Sequence, residues 1–344
     1  VITHFGMFEA DVAIYKEKIL GIFAPGFQLD AEQIVDATGM LVLPGLIDAH
    51  AHFNEPGRED WEGFEAGSKS AAAGGVTTIV EMPLNCNPCT LNTQELQRKI
   101  EAGEQYSLVD FALWGGATPD NLDDLEALHT GGVAAFKAFL SDSGIAEFDP
   151  ISDGCLIEIL SRLGKLGTML ALHAENDTIT SFLSAKLQDE GRRDRKAFLE
   201  SRPPMAEIEA VQRALLLAKH LDLPGALHFA HTSLATNIHA INQARLSGLR
   251  VTVETCPHYL TLTEEDFIKI GPVAKCSPPI RSAKEVEALW KCVHHGLVDT
   301  IGSDHSPCPT AMKEQGNEDI WNAWAGLNGI QVMFPLLFSE GVLK

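Results

Sequence analysis

Leu43-Pro44-Gly45-Leu46-Ile47-Asp48-Ala49-His50-Ala51-His52-Phe53 is the stretch from which the fold is read. It has the apolar character of a short buried strand and ends on two histidines spaced i, i+2. Side chains alternate between faces along a strand, so His50 and His52 project to the same side, one step apart. A lone pair of this kind reads equally well as two hydrogen-bonded core histidines or as half of a metal chelate. The decision rests on whether later strands bring more ligands to the same point.

Downstream, apolar strand-like runs alternate with helical ones, which is the signature of βαβ units and a parallel sheet. Strands are expected over 41–50, 76–83, 110–117, 133–140, 168–174, 226–232, 250–256 and 299–304. Helical stretches such as 92–102, 122–129 and 206–220 lie between them, the last with leucines and alanines at helical spacing. This repeat pattern predicts a (β/α)8 TIM barrel over 43–344, with its active site at the C-terminal ends of the strands. Residues 1–42 have a different texture. Runs 11–15, 19–23 and 33–37 are short strand candidates, too few to close a stable sheet, and are expected to be an incomplete N-terminal part of a β-sandwich. The charged stretch 186–201 reads as a solvated helix or loop.

Composition narrows the partners. A formal net charge of −21 argues against nucleic acid and against an anionic membrane surface, since phosphate binding needs a basic patch. No apolar run is long enough for a transmembrane helix, and the start of the chain lacks the pattern of a secretion signal. Seven cysteines, an odd count in a long chain, suit free thiols in a reducing compartment, so a cytoplasmic location is expected. Cys86-Asn87-Pro88-Cys89 has no second cysteine pair at zinc-ribbon spacing and reads as two loop thiols.

Polar groups at strand ends carry the chemistry, because a barrel interior is otherwise filled by apolar side chains. The first strand ends in His50 and His52, the fifth in His173, the sixth in His231, and the eighth delivers Asp304. Each alone has an ordinary structural explanation. Together with Lys137, set between Phe136 and Phe139 on the fourth strand, they make six nitrogen or oxygen groups from five strands at one mouth. A buried ammonium would repel a cation, whereas a lysine neutralised by burial reacts with carbon dioxide to give an anionic carbamate. N6-carboxylysine at Lys137 bridging two divalent ions is therefore expected. His50, His52 and Asp304 would hold one ion and His173 and His231 the other; zinc suits this donor set.

These pieces resemble the amidohydrolase superfamily and, within it, the cyclic amidohydrolases. The matching stretches are Pro44–His52, Phe136-Lys137-Ala138-Phe139, Leu172-His173-Ala174-Glu175, His231-Thr232-Ser233, Glu254-Thr255-Cys256-Pro257-His258-Tyr259 and Gly302-Ser303-Asp304-His305. The resemblance implies a binuclear centre whose hydroxide opens a cyclic amide, with Asp304 as base and then acid. Dihydroorotases look like His-x-Arg after the first strand, where this chain has Phe53-Asn54. Hydantoinases and dihydropyrimidinases usually carry a tyrosine shortly after the bridging lysine, where this chain has Ala138-Phe139-Leu140-Ser141-Asp142-Ser143-Gly144.

Asn54-Glu55-Pro56-Gly57-Arg58, Trp61-Glu62-Gly63-Phe64, Met82-Pro83-Leu84-Asn85 and Cys276-Ser277-Pro278-Pro279-Ile280-Arg281 are similar to the allantoinase branch instead. That likeness implies a small cyclic ureide as substrate, allantoin opened to allantoate, and a homo-oligomer. Asn85, Ser277, Ser306 and backbone near Gly326 are the candidate substrate contacts, with His258 lining the pocket. The alternatives are a hydantoinase-type ring hydrolase, or an inactive assembly protein of the same fold. Relatives continue past the eighth helix, so a fragment or splice form lacking the C-terminal sandwich segment is expected.

Overall fold

The computed structural model describes residues 1–220 and 226–343. It divides into two compact units, Val1–Leu46 and Ile47–Lys344.

The first unit holds two antiparallel hairpins. In one, β1 (Ile2–Thr3) pairs with β2 (Gly6–Met7). In the other, β3 (Asp11–Tyr15) pairs with β4 (Lys18–Phe23), with a register shift between Ala13 and Ile14. The connection is two residues long, Lys16 and Glu17, both at positive φ (48° and 62°), as a tight hairpin loop of the right twist requires. The third strand expected at 33–37 does not form. There the Asp36 carboxylate accepts a hydrogen bond from Thr38 N at 2.9 Å, a local turn that competes with strand pairing.

The second unit is the barrel. Its strands are β5 (Leu46–Ala51), β6 (Val76–Glu81), β7 (Asp110–Leu113), β8 (Gly115–Gly116), β9 (Phe136–Phe139), β10 (Met169–His173), β11 (Ala226–Phe229), β12 (Val251–Thr255) and β13 (Thr300–Ile301). β5 opens at Leu46 rather than at 41, and Pro44 gives a reason, since it has no N–H for a ladder. β7 and β8 are one barrel strand broken at Trp114. Its first half pairs with β6 and its second with β9, so it joins the sheet β5-β6-β7 to the sheet β8-β9-β10-β11-β12-β13. The ring closes where Ala51 bridges His305 in parallel and His52 N donates to His305 O at 2.7 Å.

Helices separate the strands, and their ends follow ordinary capping chemistry. Asn92 accepts from Glu95 N to start Thr93–Tyr106, and Ser152 accepts from Cys155 N to start Asp153–Leu166. The latter stops at Gly167, whose φ of 70° suits glycine. The stretch expected to be solvated at 186–201 is only partly so. Helix Arg195–Ser201 buries Ala197, Phe198 and Ser201 beneath its charged face. Strands buried on both faces read as near-continuous apolar runs, which is why β9 and β10 were visible in the sequence.

Candidate metal centre

The histidines of the first strand are held from behind before they face anything. Asp48 Oδ1 accepts from His50 N and from Ser303 N, each at 3.1 Å, tying β5 to the segment that follows β13. His50 Nδ1 lies 2.6 Å from Glu254 Oε1 of β12, which leaves Nε2 pointing inward, 3.1 Å from Asp304 Oδ1. His52 Nε2 approaches the same Asp304 oxygen at 3.4 Å. One ligand atom from each of His50, His52 and Asp304 lies within 4.8 Å of the others.

A second pair forms beside it. His173 Nδ1 and His231 Nε2 are 3.1 Å apart, and His173 Nε2 is 2.9 Å from Glu175 Oε2. Glu175 is in turn ion-paired with Arg202. The His50 and His231 rings are 5.3 Å apart between centroids, so the two groups adjoin. His231 and Asp304 are non-glycine residues at positive φ (36° and 46°), as are Asn54 and Asn85. Such backbone is costly and persists where the surroundings impose it, here where strands end and side chains must be re-aimed.

Lys137 stands on β9 in register with Ala171 of β10 and Gly116 of β8. It is fully buried, and its Nζ has no hydrogen-bond partner among the described residues. The nearest ring is Phe139, with Nζ 5.2 Å from the centroid. Burial pulls its pKa down to about 8, against the opposing pull of Asp304 and Glu254. Its positive charge would depress all four site histidines. Lys137 is thus a fully buried amine, without an acceptor among the described residues, that interacts electrostatically with four imidazoles and the Asp304 carboxylate.

Three of the four imidazoles are held in the neutral form that a cation needs. Burial holds His52 down to about 4 and lowers His173 and His231, so these rings are neutral and have a lone pair to give. Burial would also lower His50, but Glu254 and Asp304 outweigh it and raise the ring to about 9. Asp304 is kept well below the usual carboxylate range by His50 and His52 despite its burial, and so stays anionic.

The candidate substrate contacts are not all gathered. Asn85 Nδ2 donates to Ser306 Oγ at 3.2 Å, and Gly326 lies against Ser306. Ser277 is half-buried before Pro278, and no hydrogen bond joins it to the other two among the described residues. His258 is buried with Nε2 unpartnered, and burial holds it down to about 4. Cys86 and Cys89 are free thiols of the loop after β6, and both are buried, with Cys86 Sγ 3.4 Å from Lys99 Nζ. Lys99 is ion-paired with Glu81. Sequence reasoning missed Glu254 and Glu175 as groups that orient ligands. The signal was present, because each is an acid in or beside an apolar strand.

Comparison with known proteins came out consistently. The model of the Amidohydrolase family matches residues 41–328. The allantoinase of Bacillus velezensis is 46% identical over 341 residues, covering 98% of this chain and 74% of that protein. The allantoinase of Solibacter usitatus is 44% identical, covering 98% and 72%. Among solved structures, the L-hydantoinase (dihydropyrimidinase) of Arthrobacter aurescens superimposes with a TM-score of 0.96 at 37% identity, over all of this chain and 76% of that one.

Proposed function

The chain belongs to the amidohydrolase family, and from that premise we propose that it hydrolyses allantoin to allantoate. The bond broken is an amide C–N bond of the hydantoin ring. Water supplies oxygen to the carbonyl carbon and a proton to the departing nitrogen. The reading is supported by His50, His52 and Asp304 lying together, by His173 and His231 in contact beside them, and by a buried Lys137 Nζ with no hydrogen-bond partner among the described residues.

The donor set fits two divalent ions. His50, His52 and Asp304 would hold one, His173 and His231 the other, and Lys137 in its carboxylated form would reach both. Carboxylation balances simply: the neutral Nζ attacks carbon dioxide, an N–C bond forms, and one N–H proton leaves to solvent. Ions bound there would acidify a water and polarise the ring carbonyl, and imidazole with carboxylate ligands suits zinc.

The chain's own groups do the rest. Asp304, anionic and facing the cavity, takes a proton from the attacking water and returns it to the ring nitrogen. Glu254 and Glu175 fix the tautomers of His50 and His173 by holding their outer nitrogens. Asn85, Ser306 and Ser277, with backbone near Gly326, supply hydrogen bonds to the ureide.

Shape also favours a hydantoinase-type ring hydrolase, given the TM-score of 0.96 with the Arthrobacter enzyme. The two readings separate in one experiment: metal quantitation, followed by turnover of allantoin, 5-substituted hydantoins, dihydropyrimidines and dihydroorotate. Preference for allantoin with two ions bound supports the proposal. Turnover confined to another ring overturns the substrate, and a metal-free active protein overturns the site.

A further inference from the structure

Two lysines outside the ligand set, Lys275 buried and Lys313 half-buried, form no ion pair with a carboxylate among the described residues. Lys275 follows the turn Pro272–Ala274 and is 5% exposed; Lys313 sits on the short helix Thr310–Glu314. An ammonium has three donors and no acceptor. Lys275 Nζ uses its three on Ala323 O at 2.6 Å, Ile320 O at 2.8 Å and Trp321 O at 3.4 Å. Lys313 Nζ donates to Gly326 O at 2.5 Å, Trp324 O at 2.9 Å and Lys275 O at 3.2 Å. Gly326 N returns a bond to Lys275 O at 2.9 Å, and Trp324 N donates to Met312 O at 3.2 Å.

Five carbonyls of the segment 320–326 therefore converge on two cations. Burial draws the lysines down, to about 7 for Lys275 and about 8 for Lys313, while a carbonyl that accepts from an ammonium favours its charged form. Replacing either cation by an apolar group would leave carbonyls without donors, so the segment would have to move.

What this segment carries reaches the metal-ligand rim. A Cβ on Gly326 would lie 2.5 Å from Ser306 O and 2.6 Å from Ser306 Oγ, so the two backbones touch. Ser306 is two residues beyond Asp304 and accepts from Asn85. Trp324 packs against the cluster of Met82, Leu84, Trp114 and Phe139, and its Nε1–H is buried without an acceptor. We propose that Lys275 and Lys313 are positioning residues that set the wall Trp324–Gly326 of the substrate pocket. They act on binding of the ring rather than on the bond-breaking step. This rests on the reading that the cavity beside Asp304 receives a cyclic ureide.

The test compares Lys275→Met, Lys313→Met and Lys313→Arg with the wild type in metal content, melting and steady-state kinetics. The Met variants should keep both ions and a kcat within about threefold, while KM rises about tenfold and Lys313→Arg recovers most of that rise. A KM within about twofold of wild type, or a loss appearing only in kcat or in metal content, overturns the inference. Should the Met variants fail to fold, Lys313→Gln decides: a KM rise upholds the inference and an unchanged KM overturns it. A wild type that opens a different ring defeats the allantoin reading alone, and the same KM comparison is then made on that ring. A wild type that opens no ring overturns both.

Discussion

A primary amine buried from water and without a hydrogen-bond acceptor is pushed toward its neutral form, and among the described residues Lys137 is such an amine. Carboxylated, it would become an anion with two oxygens beside the three neutral imidazoles of His52, His173 and His231. Native mass spectrometry of the metal-replete protein should show a mass higher by one carbon dioxide, lost on acidification. Lys137→Ala should lose both metal content and at least about a thousandfold in kcat/KM, because it removes a ligand shared by the two ions. Asp304 makes a different prediction. Its carboxylate faces His50 and His52 and is ionised, so Asp304→Asn removes the proton acceptor while keeping the shape. Turnover should fall about a hundred- to ten-thousandfold with much of the metal retained. Near-normal turnover of Asp304→Asn with both ions bound would remove the base assignment.

At the scale of elements, the barrel strands bring ligands near, and helices behind them hold the strand ends in place. Helix Pro204–His220 contributes Glu207, whose oxygens accept from Ser233 N at 3.0 Å, Asn237 Nδ2 at 3.0 Å and Arg281 Nη2 at 3.1 Å. This locks the segment His231-Thr232-Ser233 in the strained turn that aims His231. Burial raises the Glu207 pKa, so its charge depends on Arg281 staying where it is. Arg281→Met should therefore cost about 3–5 kcal/mol in urea unfolding, since an unpaired charge is left inside. A loss under about 1 kcal/mol would show that Glu207 is neutral in the fold or finds another donor.

Across the whole molecule the site is a staple. The proposed ligands come from β5 and the residue just after it, from β9 and β10, and from the segments after β11 and β13, so ions bound there would join strands far apart in the chain. Ions that bind only the folded state stabilise it by mass action. Chelation should lower the melting temperature of the Ile47–Lys344 unit by about 5 °C or more, and readdition should restore it. No shift on chelation would mean that the residues meet without holding a metal.

The order of strands and the parallel sheet were legible in the linear chain, and so were the four histidines, the lysine and the aspartate proposed as ligands. Strand burial on both faces leaves unbroken apolar runs, and a histidine, lysine or aspartate at the end of such a run stands out. The i, i+2 spacing of His50 and His52 fixes their common face by geometry alone. Tertiary structure decided what no spacing encodes: that Glu254 holds His50 and Glu175 holds His173, that 33–37 turns locally instead of pairing, and that Cys86 lies beside Lys99. It also decided that five carbonyls close around Lys275 and Lys313. Periodicity is a local property, written by the angle between successive side chains. Which acid meets which base across 204 residues, as Glu254 meets His50, depends on how the barrel closes, and closure exists only in three dimensions.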